Sequence, residues 1–251
     1  TYAHCVDVGA IFQSIYPEIT KRSGRKFIFE DTNKPMFGAF LHDLGKSNIP
    51  KSVLDSTKRF DKGSKEMQMM RSHPVEGAKL LTNMKMSNSI VNMAHYHHVK
   101  QDITMNSSYP ENAKIEDVIF ETRLLAITDT YQALIGKRKY KKSWTPPAAI
   151  RYMDALAGIE YDLSAWELFL KTMGVYPKGS LVQLSDQTLG FVMNVPKVDL
   201  ERPDVVVICD NKLELYEHHT LVDLEEEQDI SIVEDQDPFE VFGDEALEVF
   251  L

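Results

Sequence analysis

Cysteine is nearly absent. Two residues, Cys5 and Cys209, in a chain of 251 cannot form a disulfide framework and are expected to be reduced packing thiols of a cytoplasmic protein. No apolar run reaches the roughly 18 residues of a membrane-spanning helix, and no signal-peptide pattern opens the chain, so no membrane partner is expected. There is no stripe of Lys and Arg interleaved with aromatics. The stretch Lys137-Arg138-Lys139-Tyr140-Lys141-Lys142 is too short to serve a nucleic-acid polymer. Basic residues stop at Lys212, whereas fourteen of the 38 acids lie beyond it, leaving a body near +4 and a tail near −14. A mildly basic body suits a small polyanionic ligand. The acidic tail reads as a solvated extension or a segment for a protein partner. The chain opens at Thr1 inside a helical pattern, so it reads as a fragment or a processed piece, and an upstream regulatory domain is only a candidate partner.

Apolar residues make up 43% of the chain, enough for one filled core and a smaller appendage. Apolar positions recur at three- and four-residue spacing in Val6–Ile15, Pro35–Leu44, Pro74–Met84, Ser89–His98 and Asp117–Leu134, which predicts helices throughout residues 1–173. Helix starts are expected at Thr32–Asn33, at Ser72 just ahead of Pro74, and at Ser143, where Thr145-Pro146-Pro147 opens a new segment. After Gly174 the pattern changes. Leu181–Leu184, Gly190–Val195 and Val205–Cys209 read as short strands, with a hairpin turn at Ser185-Asp186-Gln187. The expectation is a mainly α chain: a helical domain over 1–173, a small antiparallel β appendage over 174–222, and an acidic extension over 223–251, whose Phe239, Val241, Phe242, Leu247, Val249, Phe250 and Leu251 could let it dock.

Six of the eight histidines fall in the first hundred residues. His4, His42-Asp43, His73, His97-His98 and then Asp129 each sit on a separate predicted helix or helix end. Helical bundles build metal sites by aiming such residues inward from several helices. Imidazole with carboxylate favours transition metals over calcium, and so many donors exceed the needs of one tetrahedral ion. The count points to two or more metals bridged by a carboxylate such as Asp43. Taken singly, each residue has an ordinary structural explanation, as surface, cap or hydrogen-bonded core. Jointly buried without metal they would cost several kcal/mol, on the order of 2–7 per unpaired polar group. His95 and the pair His218-His219 are read as non-ligands.

The linked blocks resemble the HD-GYP family. Leu41-His42-Asp43-Leu44-Gly45-Lys46 followed by Ile49-Pro50 resembles its HD signature, and His73-Pro74 with Gly77 its next block. His97-His98 followed by Tyr109-Pro110 resembles its "HHE…GYP" segment, and Asp129 through Ala133-Leu134 to Arg138-Lys139-Tyr140 its "D…DAL…RPY" block. The resemblance covers about residues 1–195. It implies an HD-type helical bundle and a metal-dependent phosphodiesterase that cuts cyclic di-GMP, or cyclic GMP-AMP, to a linear dinucleotide in bacterial second-messenger signalling. It also implies two or three divalent metals, iron or manganese first, with nickel, zinc or cobalt as alternatives. The implied ligands are His4, His42, Asp43, His73, His97, His98 and Asp129, with Asp43 and Lys46 catalytic and Lys46 beside the phosphate. Lys100, Tyr109, Arg138, Tyr140 and Lys141 are candidates for holding the second phosphate or a base. Ser108 stands where the family has the glycine of GYP, Val99 and Lys100 follow the double histidine in place of Glu and Arg, and Gln132 replaces the Asp of DAL. These departures keep two rivals open: an HD phosphohydrolase of another nucleotide, and a non-catalytic cyclic-dinucleotide sensor.

Overall fold

The computed structural model describes residues 2–24, 33–136 and 143–250. The chain divides into two compact units, Thr1–Ser143 with Met153–Phe169, and Trp144–Tyr152 with Leu170–Leu251. This division follows neither of the sequence-based boundaries at 173/174 and 222/223, because the segment around Tyr152 and the acidic C-terminal residues both join the second unit.

The first unit is helical: α1 (Tyr2–Ser23), α2 (Asn33–Leu41), α3 (Lys51–Leu54), α4 (Lys65–Asn83), α5 (Asn88–Tyr96) and α6 (Phe120–Ile135), with a 3-10 turn at Leu44–Asn48. Helix α1 packs on α2 and α6, α5 contacts α2, α4 and α6, and α4 lies on the 3-10 turn. The reason is legible in α1, where Val8, Phe12, Ile15, Tyr16 and Ile19 are buried at helical spacing, one continuous apolar stripe. Leu124, Leu125, Ile127 and Tyr131 of α6 are likewise fully enclosed; each large aliphatic or aromatic side chain so buried contributes about 1.5–3 kcal/mol. The expected helix start at Ser72 is wrong. Helix α4 begins eight residues earlier, capped by Ser64, whose hydroxyl accepts from the Met67 amide at 3.1 Å, and Pro74 sits inside it. Ser72 is simply a mid-helix residue whose hydroxyl donates to the Met69 carbonyl at 2.8 Å.

Helices α7 (Pro146–Asp154) and α8 (Leu163–Met173) follow. Asp162 stands at the start of α8. Its Oδ1 accepts from the Ala165 amide at 2.9 Å and from the Ser164 hydroxyl at 2.8 Å, and its Oδ2 from Arg123 Nη1 at 2.8 Å. Burial opposes ionisation here, but these hydrogen bonds and the Arg123 charge hold the Asp162 carboxyl below the usual range. Its stabilisation is therefore complete above the ordinary value of 3.8 and is lost as pH falls through the lower folded value. Asp162→Ala is expected to lower stability by about 1–2 kcal/mol at pH 7. In urea melts repeated at decreasing pH, the gap to wild type should close only below pH 3.8. An equal gap at pH 7 and pH 2.5, on the order of the full effect, would show that the cap contributes no ionic part.

The second unit carries an antiparallel sheet of β1 (Leu181–Leu184), β2 (Leu189–Val192), β3 (Asp204–Cys209), β4 (Leu215–Asp223) and β5 (Ile232–Gln236) in the order β4-β3-β2-β1-β5. Gly174 ends α8 at φ +74° with its amide on the Leu170 carbonyl at 2.8 Å, the left-handed cap position that glycine fills best. The three expected strands and their hairpin are present, except that the second runs Leu189–Val192 and stops short of the expected Val195. Strands β4 and β5 were not expected, and β5 lies in the supposed acidic extension, paired with β1 from Leu181↔Gln236 onward. Strand alternation gives the sheet two apolar faces, one built on Val182, Val192, Val205 and Leu224 and the other on Leu181, Phe191 and Ile208. Val241, Phe242 and Val249, from α9 (Pro238–Phe242) and α10 (Ala246–Phe250), pack on the second face. The acidic tail thus docks by its apolar residues, while Glu234, Glu240, Asp244, Glu245 and Glu248 stay exposed and Asp235 is half-buried. Both cysteines are free and buried; desolvation pushes the Cys5 thiol up to about 12, so it is an inert packing group.

Candidate metal centre

Three histidines are aimed by the same local device. Nδ1 of His42, His73 and His97 lies 2.5, 2.6 and 2.9 Å from the carbonyls of Ala39, Met70 and Ala94, each three residues earlier. For His42 and His97 those carbonyls belong to the last turns of α2 and α5, where the helix leaves them without an amide partner. For His73 the cause is Pro74. A helical residue at 74 would give its N–H to the carbonyl of Met70; proline has none, and the imidazole takes the vacant acceptor. Nδ1 must then carry the proton, so Nε2 presents its lone pair to the interior, as metal-binding imidazoles require. His4 reaches the same end differently: its Nδ1 is hydrogen-bonded to Gln132 Oε1, and Gln132 Nε2 donates to Asp7 at 2.8 Å.

The inward-facing atoms converge. His73 Nε2 is 3.1 Å and His97 Nε2 3.8 Å from Asp43 Oδ1, and the two Nε2 atoms are 3.2 Å apart. His42 Nε2 lies 3.6 Å from Asp43 and 3.7 Å from Asp129, while His4 Nε2 is 2.8 Å from Asp129. Three overlapping sets, His73-His97-His98, His4-His42-Asp43 and His42-His97-Asp129, each bring their donor atoms within 4.8 Å of one another. His95 belongs to none of these sets among the described residues. His42, Asp43, His73 and His97 are almost wholly shielded from solvent.

The electrostatics match cation binding. Burial opposes charge on Asp43 and Asp129, yet the surrounding imidazoles, and Lys46 in the case of Asp43, hold both carboxyls well below the usual range. Burial drives His97 far below the imidazole range, with His98, His42 and His73 adding to it, and desolvation takes His98 down to about 3. Burial opposes charge on His42, yet Asp43 and Asp129 hold it above the imidazole range, so two ionised carboxylates stand beside His42 and beside the neutral imidazoles of His97 and His98. Two buried atoms, His42 Nε2 and Asp43 Oδ1, have no hydrogen-bond partner, which costs about 1–3 kcal/mol each unless something else meets them. A divalent cation coordinated by nitrogen and oxygen would do so.

The other sequence-based candidates divide. Lys46 Nζ is 2.5 Å from Asp43 Oδ2 and lines a cavity of about 550 Å³ that opens beside His73 and His98. Tyr109 lines the same cavity, stacked on His98 with ring centroids 4.5 Å apart. Lys100 does not line it. Its ammonium is paired with Glu160 at 2.6 Å and lies 5.4 Å from the Tyr161 ring centroid, so its charge is already met. Arg138, Tyr140 and Lys141 lie outside the described residues. Four cations of the cavity, Lys58, Arg59, Lys62 and Arg71, were missed by the sequence reading. Arg71, two residues before the ligand-like His73, offered the only available signal.

Residues 29–164 match a family model described as an HD domain. Over 185 residues, 73% of this chain and 43% of the relative, the sequence is 31% identical to a cyclic di-GMP phosphodiesterase of Pseudomonas aeruginosa. It is 35% identical over 126 residues, 49% of the chain and 32% of the relative, to a cyclic di-GMP phosphodiesterase response regulator of Xanthomonas campestris pv. campestris. A 3′3′-cGAMP-specific phosphodiesterase of Vibrio cholerae is 32% identical over 133 residues, 52% of the chain and 24% of the relative. The matched segments are thus less than half the length of these relatives.

Proposed function

The chain belongs to the HD-domain family, whose members are metal-dependent, and from that premise we propose that it is a phosphodiesterase that opens a cyclic dinucleotide to its linear form. The observation that carries the reading is the buried cluster itself: imidazoles whose Nδ1 atoms are fixed by carbonyls and whose Nε2 atoms meet two ionised carboxylates. The three overlapping donor sets support two or three metal ions held by His4, His42, Asp43, His73, His97, His98 and Asp129. The mixed nitrogen and oxygen donors favour iron or manganese, with nickel, zinc or cobalt able to substitute. Bound metals of this kind make water nucleophilic near neutral pH and offset phosphoryl charge.

The chain's own residues supply position. Asp43 has its two oxygens toward different partners, Oδ1 toward His73 and His97 and Oδ2 toward Lys46 and His42, the disposition a bridging carboxylate needs. Lys46 lines the cavity beside Asp43, where its ammonium would stabilise charge on the phosphoryl oxygens as the bond to the ribose 3′ oxygen breaks. Attack by water on phosphorus leaves a 5′-phosphate and returns the proton to the 3′ oxygen, giving the linear dinucleotide.

The relatives' names motivate cyclic di-GMP as first substrate and 3′3′-cGAMP as second. The test strips metal with a chelator under nitrogen, reloads with Fe(II), Mn(II) or Zn(II), and follows both dinucleotides by chromatography. Linear product is expected from the Fe(II)- or Mn(II)-loaded protein, with a fall of about a thousandfold or more on chelation. Tight binding without product in fully loaded protein would favour the sensor instead.

A further inference from the structure

Resting on the phosphodiesterase reading, we infer that the cavity beside His73 and His98 seats the half of the dinucleotide that is not being cut: Lys58, Arg59 and Lys62 take its second phosphate, and Arg71 fixes the loop that walls it. A cyclic dinucleotide carries two phosphodiesters, each with one negative charge. Only one can lie at the metal cluster during a single cut, so the other must be met elsewhere. The cavity, about 550 Å³, is far larger than a phosphoryl group needs and falls within the range of sites for whole small molecules, about 300–1,000 Å³. Its lining holds Lys46, Lys58, Arg59, Lys62 and Arg71 and no Asp or Glu.

These cations are not equivalent. Lys46 is committed to Asp43. Lys58, Arg59 and Lys62 take part in none of the ion pairs among the described residues, unlike Lys100 and Arg123, whose charges are met by Glu160 and Asp162. Three such cations within one short loop between α3 and α4 suit the second, singly charged phosphodiester. Arg71 has a different task. Its Nη2 donates to the Asn106 carbonyl at 2.5 Å and the Ser108 carbonyl at 3.2 Å, and its guanidinium lies 4.8 Å over the Tyr109 ring. Tyr109 in turn stacks on His98. Arg71 thus clamps residues 106–108, which line the cavity at Asn106 and Ser107, and ties that wall to the histidine cluster. Val53, Leu54, Phe60, Met67 and Met70 supply apolar surface for a base, the two methionines adapting to its shape.

The test uses metal-loaded protein with two readouts: turnover of cyclic di-GMP, and calorimetric binding of its hydrolysis-resistant bis-phosphorothioate analogue. In Lys58→Ala/Arg59→Ala/Lys62→Ala, KM and the analogue's Kd are both expected to rise about tenfold or more, with kcat within about threefold, and the dependence of KM on salt to flatten. Arg71→Lys keeps the charge but loses the planar fork, so it should raise KM nearly as much as Arg71→Ala. Values of KM and Kd within about twofold of wild type in the triple variant, or a loss of kcat at unchanged KM, would overturn the phosphate seat; full rescue by lysine would overturn the clamp. If wild type binds the analogue through these cations yet yields no linear product, the seat stands and the phosphodiesterase reading alone fails.

Discussion

Asp43→Ala is expected to lower cyclic di-GMP turnover by about a thousandfold or more while leaving helix content unchanged. Asp43 turns its two oxygens toward different partners, Oδ1 to His73 at 3.1 Å and Oδ2 to Lys46 at 2.5 Å. Removing it takes away the bridging donor and leaves Lys46 unpaired beside the imidazoles. Repulsion from that ammonium would then act directly on incoming metal. A metal centre contributes several kcal/mol to stabilising charge in the transition state, and each 1.4 kcal/mol is about a factor of ten in rate. The fold should survive, because the helices around Asp43 are held by buried apolar stripes rather than by the carboxylate. Three measurements decide the matter: turnover, metal bound per chain, and circular dichroism. Retained metal with lost turnover would assign Asp43 a role in the chemistry rather than in holding ions. Undiminished turnover with full helix content would end the proposal of a metal centre at this position.

Much of this cluster was legible because its residues are chemically unusual. A buried histidine on an apolar helix face is hard to explain alone, and His42, His73 and His97 each stand out from the periodic pattern around them. What could not be read was the carbonyl that orients each ring, since that depends on where a helix ends. Pro74 illustrates the difficulty: it reads as a boundary, yet α4 runs through it, and the hydrogen bond that the proline cannot make is the one His73 uses. The cavity cations were illegible for the opposite reason. Lys58, Arg59 and Lys62 lie in an irregular loop with no periodicity, and nothing in the sequence distinguishes them from solvated charges. Lys100 failed the other way, because its partner Glu160 is distant in sequence and a pairing of that kind leaves no local trace. In the second unit, β5 was hidden by composition. Glu234 and Asp235 make Ile232–Gln236 read as tail, although its pairing with β1 makes it an edge strand, with Glu234 exposed and Asp235 half-buried opposite Val182, where desolvation raises its carboxyl.

Gly45→Ala is expected to damage fold and site together. A Cβ built at Gly45 would lie 1.9 Å from the His73 carbonyl oxygen, 2.5 Å from the Gly77 amide nitrogen and 2.8 Å from the His73 carbonyl carbon. All three are backbone atoms of α4, so no side-chain rotation relieves the clash. The turn at Leu44–Asn48 and helix α4 touch main chain to main chain, and that approach is what leaves His73 Nε2 3.1 Å from Asp43. A methyl group must push α4 outward. Overpacking of this kind costs about 3 kcal/mol or more, a fall in Tm of roughly 6–12 °C for a unit of this size. Because the displacement acts on the His73–Asp43 distance directly, metal affinity should also fall, by about ten- to a hundredfold, even at temperatures where the variant is fully folded. Gly63→Ala is the matched control: nothing lies within 4 Å of its Cβ position, and its effect should stay within about 0.5 kcal/mol. If Gly45→Ala melts and binds metal as Gly63→Ala does, the two segments have slack, and their contact does not set the distance between His73 and Asp43.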